Sequence, residues 1–469
     1  MKQLKASLSQ KDQVFREFSL SGNLWHVLLQ VCLPLALYQS LNQIFKLLDT
    51  MMAAHISAEA VSAIAYLSQI NFTLSAIGGG LAMGASLKIS SAYGAGDYDL
   101  VQARVSSLFG LCFLLSGGIL LLLPFTSSFL AFAQTPPELI AMGSTYFKVE
   151  LIGLILVFIN NVYMAIERAR GHSSRILYLN LLVILTKLGL TAYFVYVLHS
   201  DITLIAVATL LSQLIITVVA FFTLRQKGTA FHFSFKKITF KGPVTWPMLL
   251  LSFPVIVEKI AFSLGKVVVN SMSTTYGTLT VGALGLSNNI SGLTTNPQCG
   301  FQEGAAAIIS QNLGANKPYR ALEAFYKVLI INTLIGCVGS LFTYLFISPL
   351  SFLFAGGDSS FAQLIAKVYS YEAIGNIPLG VHAAVMALLY GFGYTKLTLL
   401  INFARVFIFR IPVLWYLQQF TTLGSESVGI VMFVSNLLTG IVSLLIALGV
   451  IYKLKKRLLS PSLAYKPSF

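Results

Sequence analysis

The sequence predicts an all-α polytopic membrane protein. Twelve transmembrane helices are expected in two parallel six-helix repeats, an N lobe and a C lobe, around a central cavity. Three observations predict this. The chain of 469 residues is 56% hydrophobic and 10% charged, with mean hydropathy +0.80, whereas a soluble protein carries about a quarter charged residues. Residues 34–95 and 254–315 match at a constant offset of 220, with thirteen identities in sixty-two positions and no gap. Lys and Arg sort by alternate loops, as in polytopic membrane proteins.

The first twenty-three residues are polar and basic and lack the apolar core of a signal peptide. They read as a cytoplasmic tail. Apolar runs near the roughly 20 residues that a spanning helix needs then recur along the chain. In the first half they cover 24–54, 58–92, 100–130, 142–168, 175–198 and 202–225. In the second half they cover 243–275, 279–314, 319–352, 361–391, 397–420 and 427–452. The N lobe is therefore placed at 24–225 and the C lobe at 243–452, with a linker at 226–242 and a basic tail at 453–469.

Six loops hold no Lys or Arg: Ala54–Glu59, Thr126–Ile140, His199–Thr203, Ser273–Thr280, Ser348–Gln363 and Gln418–Val428. The positive charge lies in the other set. That set includes Lys2, Lys5, Lys11 and Arg16, the loop with Arg168, Arg170 and Arg175, Lys317 with Arg320, and the tail from Lys453 to Arg457. Basic loops stay cytoplasmic, so both termini are expected inside. The net charge of +15 follows this sorting, which fits anionic lipid headgroups and not nucleic acid.

The repeat bears on function. Duplicated membrane folds place a substrate site near the repeat interface, so the pattern indicates a transporter. The matched loops at Gly94-Ala95 and Gly314-Ala315 both lie inside, which makes the repeats parallel. A weaker echo at offset 222 pairs Met164, Gly171 and Asn180 with Met386, Gly393 and Asn402. Gly78-Gly79-Gly80 lies within a span, where small residues let helix backbones approach. It follows no strand, so it is no nucleotide loop, and there is no P-loop. The four cysteines are scattered singly and show no metal or disulfide spacing. No catalytic constellation is visible, so the chain is not read as an enzyme.

Polar groups at membrane depth are costly and mark function. Gln39, Asn42, Gln43, Lys46, Asp49 and Thr50 recur at three- and four-residue steps, so they share one face of the first span. Asp49 is the acidic residue of that stripe. Burial and a neighbouring cation pull a carboxylate's proton affinity in opposite directions, which suits cycles of uptake and release. A static Asp49–Lys46 pair is the structural alternative. Pro34 removes a backbone bond within the same span, giving either a fixed kink or a hinge. The seventh span carries Glu258, Lys259, Lys266 and Asn270, and Asp49 aligns with Val269, so the acid is not duplicated. Lys187 and Glu303 are further deep charges. Glu150 and Glu372 read as lying near the starts of spans 4 and 10. Tyr38, Tyr66 and Phe72 are aromatic candidates for a cavity wall, where cation–π contact suits organic cations.

The segment Leu47-Leu48-Asp49-Thr50-Met51-Met52-Ala53 resembles the first-span signature of multidrug and toxic compound extrusion (MATE) transporters. Gly84-Ala85-Ser86 with Gly94-Ala95-Gly96-Asp97-Tyr98, and Phe409-Arg410-Ile411-Pro412, are similar to that family's span 2 and span 11. The family belongs to the multidrug/oligosaccharidyl-lipid/polysaccharide flippase superfamily. The resemblance implies a monomeric, multi-pass transporter of a bacterial cell membrane. It implies antiport of bulky, often cationic organic compounds against H⁺ or Na⁺ by alternating access, with no other cofactor. It also implies that Asp49 is the coupling carboxylate and Pro34 the place where span 1 bends. The chain departs from the pattern at Lys187 and Thr191, where many relatives carry an Asn and an Asp beside a Na⁺ site. Glu258 lies about one turn from a glutamate that some relatives use, and Leu379 replaces their aspartate. The cation-coupling candidates are Asp49, Lys46, Lys187 and Glu258. The cavity candidates are Tyr38, Gln39, Asn42, Gln43, Tyr66, Phe72, Lys266, Asn270 and Glu303. The competing expectation is a flippase for an anionic or glycan-linked lipid, because Lys46, Lys187, Lys259, Lys266 and Arg405 place much positive charge at depth.

Overall fold

The computed structural model describes residues 8–53, 58–132, 135, 137–199, 201–226, 229–355 and 358–459. Side chains are described for all of these except 46–53, 58–66, 138, 139, 142 and 457–459. No β-strand occurs among the described residues.

The first half folds as α1 (Gln10–Ser21), α2 (Leu24–Ala53), α3 (Ala58–Ala95), α4 (Tyr98–Leu122), α5 (Thr126–Phe132), α6 (Pro137–Ala169), α7 (Ser173–Ala192) and α8 (Ile202–Leu224). The second half folds as α9 (Gly242–Ser273), α10 (Thr278–Gly314), α11 (Pro318–Leu345), α12 (Ile347–Phe354), α13 (Ser359–Gly391), α14 (Thr395–Phe407), α15 (Ile411–Phe420) and α16 (Glu426–Leu459). Eleven helical segments among the described residues are long and apolar enough to cross a bilayer. With α10, 37 residues long, they make the twelve expected spans.

One span differs from its expected continuous form. The run 397–420 is broken between α14 and α15. Ile408 and Phe409 both donate to the Ala404 carbonyl, which closes α14. Pro412 sits in the first turn of α15, where its missing N–H costs nothing.

The chain forms two compact units. The first holds residues up to Phe18 together with Leu41–Ile256, and the second holds Ser19–Ser40 together with Val257 onward. The first part of α2 thus packs in the second unit, and the first part of α9 packs in the first. Glycines make both packings possible. A Cβ on Gly84 would stand 2.4 Å from Ser252 Cα, and one on Gly80 would stand 2.9 Å from Ile256 Cα. In the second unit, a Cβ on Gly300 would stand 2.5 Å from Ala36 Cα, and one on Gly304 would stand 2.6 Å from Cys32 Sγ. These four glycines are the repeat-related pairs, and each lets α3 or α10 approach a neighbouring backbone too closely for any side chain. Ser252 Oγ also donates to the Leu81 carbonyl at 3.1 Å.

α1 lies within the segment that composition marks only as polar and basic. Ser9 caps it, accepting from the Asp12 N–H at 3.2 Å, as in an S-x-x-D capping box. Asp12 and Phe15 are buried. Asp12 pairs with Arg170 through two hydrogen bonds of 2.9 and 3.0 Å. Arg170 also pairs with Glu167 at 2.9 Å, and Glu167 receives Arg175 at 3.0 Å and lies 3.1 Å from His172. Burial opposes ionisation of Asp12, but the hydrogen bond and charge of Arg170, with Ser9 and His172, outweigh it and hold its pKa below the ordinary 3.8. Phe15 rests on Gly171, whose φ of +76° and lack of a Cβ allow the ring to sit there. Arg16 donates to the Tyr93 and Gly94 carbonyls at 3.0 and 2.8 Å, closing the C-terminus of α3.

Candidate transport site

In the second unit, Glu258 on α9 is buried. Its carboxylate accepts from Tyr390 Oη at 2.7 Å, Thr398 Oγ1 at 2.7 Å and Asn402 Nδ2 at 2.8 Å. Tyr390 ends α13, and Thr398 and Asn402 lie one turn apart on α14, so the two helices converge on one acid. All three donors are neutral. A carboxylate so held keeps its lone pairs satisfied whether the charge is balanced by a proton or by a cation.

A second polar seam runs along α13. Ser287 Oγ donates to Glu372 Oε2 at 2.6 Å, and Ser291 Oγ donates to Asn376 Oδ1 at 2.6 Å. Buried Arg410, at the break between α14 and α15, lies within the field of Glu372. It donates to Ser435 Oγ at 3.2 Å and to Asn436 Oδ1 at 3.3 Å. Arg405 donates to the same Asn436 oxygen at 3.0 Å. The broken span therefore brings two guanidiniums to one amide oxygen of Asn436.

Glu372 corrects the expectation that it lies near the start of its span. It sits well inside α13 and is buried. Glu150 likewise sits well inside α6, where Asn71 on α3 donates to it. The reason is partnership, because Asn71 donates to Glu150 and Ser287 donates to Glu372, which offsets the cost of an acid at that depth.

Along α6 and α8, the first unit also carries a neutral polar cluster. Asn160 Nδ2 donates to Gln213 Oε1 at 2.8 Å, and Thr217 Oγ1 donates to Asn160 Oδ1 at 2.8 Å. The weaker echo in the sequence is realised in space: Asn180 Nδ2 lies 3.2 Å from the Met164 sulfur, and Asn402 Nδ2 lies 4.0 Å from the Met386 sulfur.

The expected site residues divide between the units. Pro34, Tyr38 and Gln39 belong to the second unit, and Asn42 and Gln43 belong to the first. The polar stripe of α2 is thus split between Ser40 and Leu41. Lys46, Asp49 and Tyr66 have side chains outside the described residues. Phe72 is exposed and Lys187 is half-buried, both in the first unit. Glu258, Lys266, Asn270 and Glu303 all lie in the second unit, with Asn270 and Lys266 exposed. Sequence reasoning missed Ser287 as the partner of Glu372, and Ser435 and Asn436 as the partners of Arg410. It also missed Tyr390, Thr398 and Asn402 as the partners of Glu258.

Two six-span repeats, polar groups buried at membrane depth and a broken helix define a multi-pass membrane transporter. The MatE family model matches both repeats, at residues 34–193 and 254–416. The chain belongs to this family. Among curated proteins it is similar to "Probable multidrug resistance protein YoeA" of Bacillus subtilis (strain 168), 23% identical over 417 residues, covering 86% of this chain and 88% of that one. Among solved structures it is similar to a MATE in complex with MaL6, with TM-score 0.89 and 20% identity, covering 96% of this chain and all of that one. It is also similar to a transporter from Pyrococcus furiosus described as having a reversed binding-pocket polarity that suggests a different function. That match has TM-score 0.88 and 20% identity, covering 96% of this chain and 99% of that one.

Proposed function

We propose that this protein is a secondary active exporter of bulky organic compounds, often cationic, across the cell membrane. Entry of H⁺ or Na⁺ drives export by alternating access, and no other cofactor takes part. Asp49 is the coupling carboxylate of the first repeat, and Glu258 is a second acid that takes up and releases the cation. The protein works as a monomer, with its basic loops in the cytoplasm and anionic lipids against them. The observation that carries the reading is Glu258, a buried carboxylate at membrane depth surrounded by three neutral donors. The names of the curated relatives, which are multidrug resistance and export proteins, support the substrate class.

The test is ethidium efflux from proteoliposomes under an imposed proton gradient and then a Na⁺ gradient. Efflux is expected under one gradient and not the other, with loss in Asp49→Asn and Glu258→Gln. Intact protein that exports nothing under either gradient would sink the reading.

One observation favours a second reading, a flippase for an anionic lipid. Lys259, Lys266 and Arg405 concentrate positive charge on the second unit, and the similar Pyrococcus furiosus transporter is described by a reversed pocket polarity. Lipid flipping without ethidium efflux is its signature.

A further inference from the structure

His382, on α13 of the second unit, is a buried titratable group outside the shell of three donors around Glu258. His382, Met386 and Tyr390 follow at four-residue steps, so they share one face of α13. Asn402 of α14 packs on that face. Its Nδ2 lies 4.0 Å from the Met386 sulfur and donates to Glu258 Oε1 at 2.8 Å. The Asn402 side chain also meets the His382 imidazole. His382 Nδ1 itself lies 2.9 Å from Ser443 Oγ of α16. Ser443, His382, Asn402 and Glu258 are thus linked in series within the second unit.

What each group can donate gives the series a direction. An amide donates through its nitrogen and accepts through its oxygen. Asn402 turns its nitrogen to the carboxylate, and Oδ1, on the other arm of the amide, is its acceptor toward the imidazole. A neutral imidazole has one N–H and one lone pair. With Nδ1 at Ser443, the proton belongs on Nε2, and the Ser443 hydroxyl donates to Nδ1. Three charged groups have fields that reach the series: Lys259 at Glu258, Arg405 at His382 and Glu303 at Tyr390.

We propose that His382 is a positioning residue for the Glu258 acid, its Nε2–H holding Asn402 Oδ1 so that the Asn402 nitrogen stays turned to the carboxylate. A donor held in this way favours the ionised acid over the protonated one. Without the imidazole the amide can turn over and set its oxygen against the carboxyl group, which only the protonated acid can answer with a hydrogen bond. Ser443 keeps the ring's lone pair on Nδ1. The inference rests on the reading of Glu258 as an acid that takes up and releases a proton. Tyr390 and Thr398 stay as its other two donors throughout.

The test uses the full chain in phosphatidylcholine nanodiscs. Dicyclohexylcarbodiimide reacts with protonated carboxyl groups, and mass spectrometry of the Glu258 peptide reads the extent of labelling against pH. His382→Phe keeps a ring and removes the N–H. Its labelling midpoint is expected to rise by about one pH unit, the size of one lost hydrogen bond to a charged group. His382→Gln keeps an N–H donor and is expected to stay near wild type. Asn402→Leu should raise the midpoint at least as much as His382→Phe, and combining the two should raise it no further, because the ring acts through the amide. Ser443→Ala leaves the ring in place and should raise the midpoint by a smaller step, and it carries the test if the Phe variant does not fold. An unmoved midpoint in whichever of these two variants folds overturns the proposal. So does a rise in His382→Gln as large as in His382→Phe, or an additive rise in the double variant, which would make the ring's effect independent of Asn402. Gradient-driven efflux that survives in Glu258→Gln removes the reading of Glu258 as a coupling acid, while the labelling midpoints still decide the role of His382.

Discussion

α3 in the first unit and α10 in the second each place two glycines, one turn apart, against a neighbouring backbone. Gly80 and Gly84 meet Ile256 and Ser252, and Gly300 and Gly304 meet Ala36 and Cys32. The geometry is the same and the pairs are repeat-related. Elsewhere in each unit the chemistry differs. The first unit binds Asn71 to Glu150 and ties Asn160 to Gln213 and Thr217. The second sets Glu258, Glu372, Arg405 and Arg410 into one half of the molecule. Close backbone contact leaves no freedom in residue choice, so it persists in both copies. Polar groups inside a unit are free to diverge, provided each finds a partner.

The largest effect is expected from breaking the shared part. Gly300→Val places side-chain atoms into Ala36 backbone, which cannot yield as a side chain would. A loss of about 3 kcal/mol or more is expected, read as a lower melting temperature and loss of the monodisperse peak. Gly84→Val should behave alike, whereas Gly117→Val, with open space around it, should be near neutral. Equal melting of Gly300→Val and Gly117→Val would remove the close-packing argument.

Next comes the unshared part. Glu372→Gln removes the acid whose field reaches buried Arg410 and weakens the 2.6 Å bond from Ser287, a cost of about 2 kcal/mol. Glu258→Gln leaves no buried guanidinium so affected, because its three donors are neutral. Glu258→Gln should melt close to wild type and lose gradient-driven efflux. If the two variants melt alike, the second unit does not separate a structural acid from a coupling acid.

The smallest effect sharpens the comparison from outside the membrane. Asp12 has a depressed pKa in the fold, so its contribution is complete at neutral pH and disappears as pH falls through that depressed value, below the ordinary 3.8. Asp12→Asn should cost about 2 kcal/mol at neutral pH, and the gap to wild type should close on acidification below about pH 4. A gap that stays constant over that range, measured by thermal melting, would contradict the ion pair with Arg170.

Much of this fold is legible in the chain. The constant offset, the alternation of basic loops and the apolar runs give twelve helices in two repeats, because those signals are local and periodic. The Met–Asn echo marks the repeat, and the structure adds that the two residues lie near each other in each unit. Partnering is not legible. Ser287 and Glu372 lie far apart in the chain, and nothing in either segment names the other. The break at Ile408–Arg410 was written in Pro412, but an apolar run on both sides hides it. α1 carried a readable signal in the capping box from Ser9 to Asp12, obscured by the basic residues around it.

The exchanged first part of α2 has a consequence for how the protein is made. Ala36 reaches its mate, Gly300, only after about 260 further residues have been synthesised. At ordinary translation speeds of about 5–20 residues per second, that is roughly ten to fifty seconds. Throughout that interval the earliest membrane helix waits in the lipid without the surface it was shaped for. Yield of correctly assembled protein should therefore depend on the pace of the ribosome and on whatever shelters nascent helices, as well as on the stability of the finished molecule.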